Sequence, residues 1–287
     1  MSMTAAPFVI GLRQLPYYDS LQTPEALAGW FQQRLEEGLC EFGHSDLEKG
    51  HEGLLGQAIR QLPSDQARKL CFDMSAGVVP ARQNDDRFGA KYYDTRPEYL
   101  DGIVNRTLKQ LGIEQLNTFM LMRPDPLMDV EATGRALDAI VESGRARQIG
   151  VANFLPAQWR HLQAAMKTPL ACQYMEMSIA RSQMLFDGMW DSMRRDNMSG
   201  LAGSPLWGGR IFENQLGQML KTMADTHRVS PAGIALAWLH TIPGQPRAVV
   251  GTLRSVRLQA LAHDAGLTLS RPEWFALLEA VRAYRVP

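Results

Sequence analysis

Cysteine is scarce in this chain. Cys40, Cys71 and Cys172 are the only three among 287 residues, an odd and widely spaced set that supports neither a disulfide framework nor a zinc site. Each lies in a short apolar run, so the expected state is reduced, buried and strand-borne. Long apolar runs are missing too. No stretch of about 18 such residues occurs, which excludes an obvious membrane-spanning helix. The start, MSMTAAPFVIGL, lacks the basic region and long apolar segment of a secretory signal, and a cytoplasmic location is the expectation. Nor does one sign of charge dominate. Thirty Lys plus Arg offset 30 Asp plus Glu, so no global field recruits nucleic acid or an anionic membrane surface, and any anion must be held locally. Finally, no tyrosine occurs from residue 19 to residue 91.

What is present is a 45% apolar content, enough to fill a sizeable core. Eight short runs have strand character: FVIGL (8–12), LCEF (39–42), KLCFDM (69–74), TFMLM (118–122), RQIGVAN (147–153), LACQYME (170–176), LAGSP (201–205) and RAVVG (247–251). Segments of helical period separate most of them. Thr23 and Pro24 open a helix that stops at Gly38. Another starts near Pro97 and puts Leu100, Ile103, Val104, Leu108 and Leu111 on one stripe before Gly112. Ser230-Pro231 and Ser270 with Pro272 open two more. Eight strands, each followed by a helix and with no dividing linker, predict a single α/β domain over residues 1–287. The fitting architecture is a (β/α)8 TIM barrel, whose active site lies at the C-terminal ends of the strands.

One stretch leaving the second strand, EFGHSDLEKGHEG (41–53), gathers His44, Asp46, Glu48 and His51. Three readings are open. A metal site needs His44, Asp46 and His51 to converge on one point. A catalytic acid needs Glu48 buried enough to lift its carboxyl from about 4.3 toward 7. The plainer alternative is a polar loop lining the mouth of a pocket. Met74, Met120, Met122, Met175 and Met177 lie in or beside strands and read mostly as barrel filling.

Six segments carry a family resemblance: LGIEQLNTFMLMRPDPLMD (111–129), SGRARQIGVANF (143–154), CQYMEMS (172–178), SPLWGGRIF (204–212), VVGTLRSVR (249–257) and the tail from Arg271. In that order they resemble the aldo-keto reductases, a bacterial branch in particular. The resemblance implies a (β/α)8 barrel that binds NADP(H) and reduces carbonyls. It also implies four catalytic side chains. A tyrosine protonates the carbonyl oxygen, a lysine paired with an aspartate lowers that tyrosine's pKa, and a histidine orients the carbonyl.

Laid on this sequence, the family's aspartate and tyrosine fall on Gly43 and Glu48, its lysine on Ser75 and its histidine on Met122. All four are replaced. The resemblance places the nicotinamide carboxamide on Asn153 and Gln173, and the ring-stacking aromatic on Gly203. It assigns the pyrophosphate loop to Ser204, Leu206 and Arg210 in SPLWGGR, and the adenosine 2′-phosphate to Gly251, Thr252, Arg254 and Arg257. The expectation is a divergent member without the usual proton relay: a pseudoenzyme, or a barrel binding a small ligand or a protein partner, with a residual NADP(H) phosphate segment and no resident metal. The alternative is an active NADPH-dependent oxidoreductase on a restricted carbonyl substrate, with a donor such as Glu48.

Overall fold

A computed structural model describes residues 7–47, 51–81 and 89–282. Its strands are β1 (Phe8–Gly11), β2 (Glu41–Ser45), β3 (Cys71–Ala76), β4 (Val78–Val79), β5 (Tyr92–Tyr93), β6 (Leu116–Leu121), β7 (Ala146–Ala152), β8 (Leu170–Glu176), β9 (Ser199–Gly203) and β10 (Arg247–Val250). The helices are α1 (Pro24–Glu36), α2 (His51–Gln61), α3 (Ser64–Ala67), α4 (Pro97–Leu111), α5 (Val130–Glu142), α6 (Pro156–Ala164), α7 (Met189–Arg195), α8 (Asn214–His227), α9 (Pro231–His240), α10 (Ser255–Asp264) and α11 (Arg271–Val281). Eight strands close a barrel in the order β1-β10-β9-β8-β7-β6-β3-β2, with β1 and β10, β10 and β9, β2 and β3, β3 and β6, and β6 and β7 paired in parallel. This is the (β/α)8 fold expected from the alternation of strands and helices. The short β4 and β5 form an antiparallel pair, so Tyr92 and Tyr93 lie in a hairpin opposite Val79 and Val78. No helix among the described residues is long and apolar enough to cross a membrane.

Local punctuation behaves as its chemistry requires. Thr23 caps α1 by accepting from the Ala26 N–H, with Pro24 in the first turn, and Ser230 accepts from the Gly233 N–H at the start of α9. Ser270 and Glu273 form a reciprocal capping box on α11. Gly112 ends α4 at φ 70°, a left-handed conformation that costs glycine little. Strand limits are less well marked by apolar runs. β2 begins at Glu41 rather than residue 39 and runs through Gly43, His44 and Ser45, because inward positions of a barrel strand can be polar or glycine. β9 ends at Gly203, before Pro205, not at residue 205. The cysteines also differ from expectation: Cys40 is buried but precedes β2, and Cys71 is only half-buried.

The chain falls into two compact units, Gly11–Gln173 and Met1–Ile10 with Tyr174–Pro287. In the first, Phe42 and Phe72 meet Phe31 of α1 at ring-centroid distances of 5.0 and 6.3 Å, so these strand residues face the helices. Period-two alternation then turns Gly43, Ser45, Asp73 and Ser75 inward. Register carries the inner face onward: Ser75 lies opposite Met120, and Met120 opposite Gly150. A β-carbon on Gly150 would lie 2.5 Å from Cys172 Sγ and 2.8 Å from Met120 Cγ. Glycine there lets neighbouring strands share one filled layer. In the second unit, Trp238 of α9 and Trp274 of α11 stack at 4.7 Å, and each indole N–H donates to the other residue's carbonyl. That exchange satisfies both indole donors while the half-buried Trp274 covers the buried Trp238.

Candidate functional site

Within the Gly11–Gln173 unit, Ser75 is the penultimate residue of β3 and lies opposite Ser45. Gly43 sits one inward layer lower, opposite Asp73. Met122 follows β6 directly and donates its backbone N–H to Ala76 O at 2.8 Å. These three positions therefore occupy β2, β3 and the end of β6, where a barrel carries its chemistry, yet none bears a titratable group. Glu48 lies outside the described residues.

The dense stretch after Glu41 separates rather than converges. His44 is inside β2, not in the loop beyond it, and its Nε2 lies 3.3 Å from Glu52 Oε1 on α2, an oxygen that also accepts from Thr107 Oγ1 at 2.8 Å. Burial raises the Glu52 pKa, but the hydrogen bonds from His44 and Thr107 outweigh it and hold the carboxyl below its ordinary value. Asp46 turns elsewhere: one oxygen accepts from Gly77 N at 2.9 Å and Tyr99 Oη at 2.8 Å, while Oδ1 is buried without a hydrogen-bond partner among the described residues. Burial pushes the Asp46 pKa up, partly offset by those donors. Among the described residues no group of three or more His, Cys, Asp or Glu could hold a metal ion, so the reading of His44, Asp46 and His51 as three ligands is withdrawn.

An interior acid escaped the sequence analysis. Asp73 is 2% exposed and shares a layer with Gly43, Thr118 and Gln148. Asn117 Nδ2 donates to Asp73 Oδ1 at 2.8 Å, and Gln148 Nε2 donates to Thr118 Oγ1 at 2.9 Å. Burial, reinforced by the nearby Glu41 carboxyl, pushes the Asp73 pKa up to about 7. The unfolded chain gives up that proton near 3.8, so from there to about 7 the unfolded state binds fewer protons than the folded one. Asp73's contribution to stability is therefore complete below the unfolded value and is lost as pH rises through the folded one. Relative to Asp73→Asn, the wild-type urea midpoint is expected to fall over this window. Equal pH dependence in the wild type and the variant would contradict this assignment.

The two amides also sit at strand ends. Asn153 follows β7 in a left-handed conformation, φ 61°, with Nδ2 3.4 Å from Met122 O. Gln173, fully buried in β8, donates from Nε2 to Phe154 O at 2.6 Å. Its Oε1 is buried with no partner among the described groups. An orphaned amide oxygen costs about 1–3 kcal/mol, and an amide N–H of a ligand would satisfy it. A carboxamide therefore fits the chemistry of this donor set.

The second unit carries the other candidate residues. Ser204 follows β9 at φ 51°, Leu206 precedes a 3-10 turn at 207–212, and Gly208 and Gly209 adopt φ 67° and 90°. A β-carbon on either glycine would meet nothing within 4 Å, so the backbone at both positions is open to approach. Trp207, at φ 48°, lies under two guanidiniums: Arg210 is 4.3 Å and Arg181 6.0 Å from its ring centroid. Arg210 is thus stacked as well as charged. Farther along, Gly251 and Thr252 follow β10, and the Arg254 N–H lies 3.4 Å from Thr252 Oγ1. Arg254 is the N-cap residue of α10 rather than part of it, and Arg257 lies in the first turn, which has neither an acidic residue nor a side-chain cap. Both arginines are exposed, and neither is in an ion pair among the described residues. An anion at this helix start would meet the positive end of the helix dipole and two cations.

Gly203 has an unexpected neighbour. Its φ is not among the positive values, so backbone freedom does not account for the glycine. Space does: an added β-carbon would overlap the hydroxyl and ring of Tyr174. No local pattern announces this contact, because Tyr174 is 29 positions away, on β8.

Known proteins resemble this arrangement along most of its length. A 6-dehydroglucose reductase of Agrobacterium fabrum is 29% identical over 90% of this chain and 89% of its own. The oxidoreductase YdhF of Escherichia coli is 27% identical over 98% of this chain and 95% of its own. Among solved structures, a thermostable aldo-keto reductase, Tm1743, in complex with the inhibitor epalrestat superposes with a TM-score of 0.77 at 19% identity, covering 96% of this chain and 95% of the other. The sequence profile described as the Aldo/keto reductase family matches residues 52–281, and with that match over a closed parallel barrel, the chain belongs to the aldo/keto reductase family.

Proposed function

We propose that this protein is an NADP(H)-binding member of its family that lacks the proton relay for carbonyl reduction by the usual route, and that its single barrel domain serves to bind a small ligand. The reading is carried by Gly43, Ser75 and Met122. Glycine supplies no carboxylate, serine no cation, and methionine no hydrogen bond to a carbonyl oxygen. Glu48 completes the set from the sequence alone. Asn153 and Gln173 would hold the carboxamide. Ser204, Leu206 and Arg210, around Gly208 and Gly209, would hold the pyrophosphate. Gly251, Thr252, Arg254 and Arg257 would hold the 2′-phosphate. When bound, the cofactor supplies a hydride; the missing part is a group to deliver the proton.

Titration with NADPH, NADH and 2′-phosphoadenosine fragments tests the binding half. The wild type is expected to prefer the phosphate-bearing ligands, and Arg254→Ala with Arg257→Ala is expected to weaken them by about tenfold or more while changing NADH little. Simple aldehydes reduced at rates ordinary for the family would overturn the second half. The reductase names of the relatives favour one other reading, an active enzyme on a restricted carbonyl with Glu48 as donor. In that case Glu48→Gln abolishes turnover and spares cofactor affinity; an unchanged rate removes Glu48.

A further inference from the structure

We propose that Cys40 and Cys71 form a reversible disulfide site at the start of β2 and β3, closed when a low-molecular-weight disulfide oxidises the pair. Both cysteines are free in the structure, and their thiols hydrogen-bond each other. The backbones are joined as well: the Cys71 N–H donates to Cys40 O at 2.8 Å.

Register fixes the spacing. Glu41 lies opposite Cys71, so Cys40 is offset from Cys71 by one residue. Neighbouring strands run about 4.8 Å apart and rise about 3.3 Å per residue, which puts the two α-carbons roughly 6 Å apart, inside the span of about 4.4–6.8 Å that a disulfide bridges. Direction is the harder requirement. Within a strand, alternation would send the Cys40 side chain to the face opposite that of Cys71, but β2 begins only at Glu41, and the hydrogen bond between the thiols shows that Cys40 turns toward its neighbour. Accessibility divides the roles. Cys71 is half-buried and Cys40 buried, so an oxidant meets Cys71 first and Cys40 resolves.

The hydrogen bond with Cys40, together with burial, holds the Cys71 thiol well above its ordinary pKa. That keeps the resting pair protonated and reduced, and makes the first attack slow. In that step Cys71 loses its proton to solvent and attacks one sulfur of the oxidant. A mixed disulfide forms, the oxidant's own S–S bond breaks, and the departing thiolate takes up a proton. Cys40, likewise deprotonated, then attacks the Cys71 sulfur and expels the second thiolate. Two cysteine thiols are oxidised and one external disulfide is reduced to two thiols, so the step balances without another reagent. The bond would tie the N-terminal ends of two strands whose other ends carry Ser45 and Ser75.

For the test, the full chain is reduced, incubated folded with excess oxidised glutathione, then unfolded in urea with iodoacetamide and mapped by peptide mass. Of its three cysteines, only Cys172, buried on β8, is expected to be alkylated, with an intact mass lower by two hydrogens and full alkylation restored by dithiothreitol. Cys40→Ser is expected to stop at a glutathione adduct on Cys71, and Cys71→Ser to leave Cys40 unmodified. Three alkylated cysteines, an adduct that persists on Cys71 of the wild type, or a bridge that includes Cys172 would overturn the proposal. Because a cross-link restricts the unfolded chain, the oxidised wild type is also expected to unfold at higher urea than the reduced form. An equal or lower midpoint would show that the folded strands do not accommodate the bond, and would overturn the proposal too. Should Cys40→Ser not fold, Cys40→Ala gives the same contrast, and the wild-type map decides without either.

Discussion

Combining Gly43→Asp, Glu48→Tyr, Ser75→Lys and Met122→His is expected to raise NADPH-dependent reduction of a simple aldehyde by about 10²- to 10⁴-fold over the wild-type chain, the usual worth of positioned acid catalysis. The fold already aims the described positions suitably: Gly43 and Ser75 face inward on adjacent strands, and Met122 follows the next strand of the barrel. A lysine at 75 alone would place a cation at a half-buried site and cost stability. The interior acid sharpens the prediction. Asp73 already provides a carboxyl in the layer of Gly43, so the triple variant that keeps Gly43 should retain part of the gain, with Asp73 rather than residue 43 as the lysine's partner. Steady-state kinetics on folded variants decides it. If the quadruple variant melts near the wild-type temperature yet gains nothing, then the residues at these four positions do not limit the reaction.

Gly56→Ala is expected to destabilise the protein by roughly 3 kcal/mol, the upper end for overpacking. Gly56 lies in α2 where that helix meets α4, and an added β-carbon would land on the Gln110 carbonyl oxygen, with Gln110 C 2.9 Å away. Both are backbone atoms, which cannot rotate aside, so the helices must separate. The same helix contains a control. Gly53 is exposed and a β-carbon there meets nothing within 4 Å, so Gly53→Ala should stabilise by up to about 1 kcal/mol through helix propensity alone. Opposite shifts of the urea midpoint are the expected result. A Gly56→Ala midpoint equal to that of wild type would show that the two helices yield freely.

The positions that the family pattern assigns to a proton relay and to a phosphate were legible in the sequence because that pattern is anchored by local motifs, RPDP after β6 and GTLRSVR after β10. Their surroundings were less so. Arg254 reads as a helical residue in the sequence, but it caps the helix, since its ψ of 116° is extended. Likewise, HxDxExxH looks like a cluster on paper. In the barrel, alternation along β2 sends His44 outward to Glu52, while the turn after Ser45 carries Asp46 to Gly77 and Tyr99.

By itself, the sequence determined the alternation of eight strands with helices, the capped starts at Thr23, Ser230 and Ser270, and the residues Gly43, Glu48, Ser75 and Met122 at the positions that the family pattern gives to its relay. Those depend on periodicity, on hydrogen bonds within a few residues, and on side-chain identity. Only the tertiary structure decided that Asp73 stands beside Gly43, that Gln173 keeps a buried oxygen without a partner among the described residues, and that Tyr174 fills the space over Gly203. The physical reason is register: which side chains meet across a barrel depends on the alignment of strands tens of residues apart, and a shift by one residue would turn each of them to the opposite face.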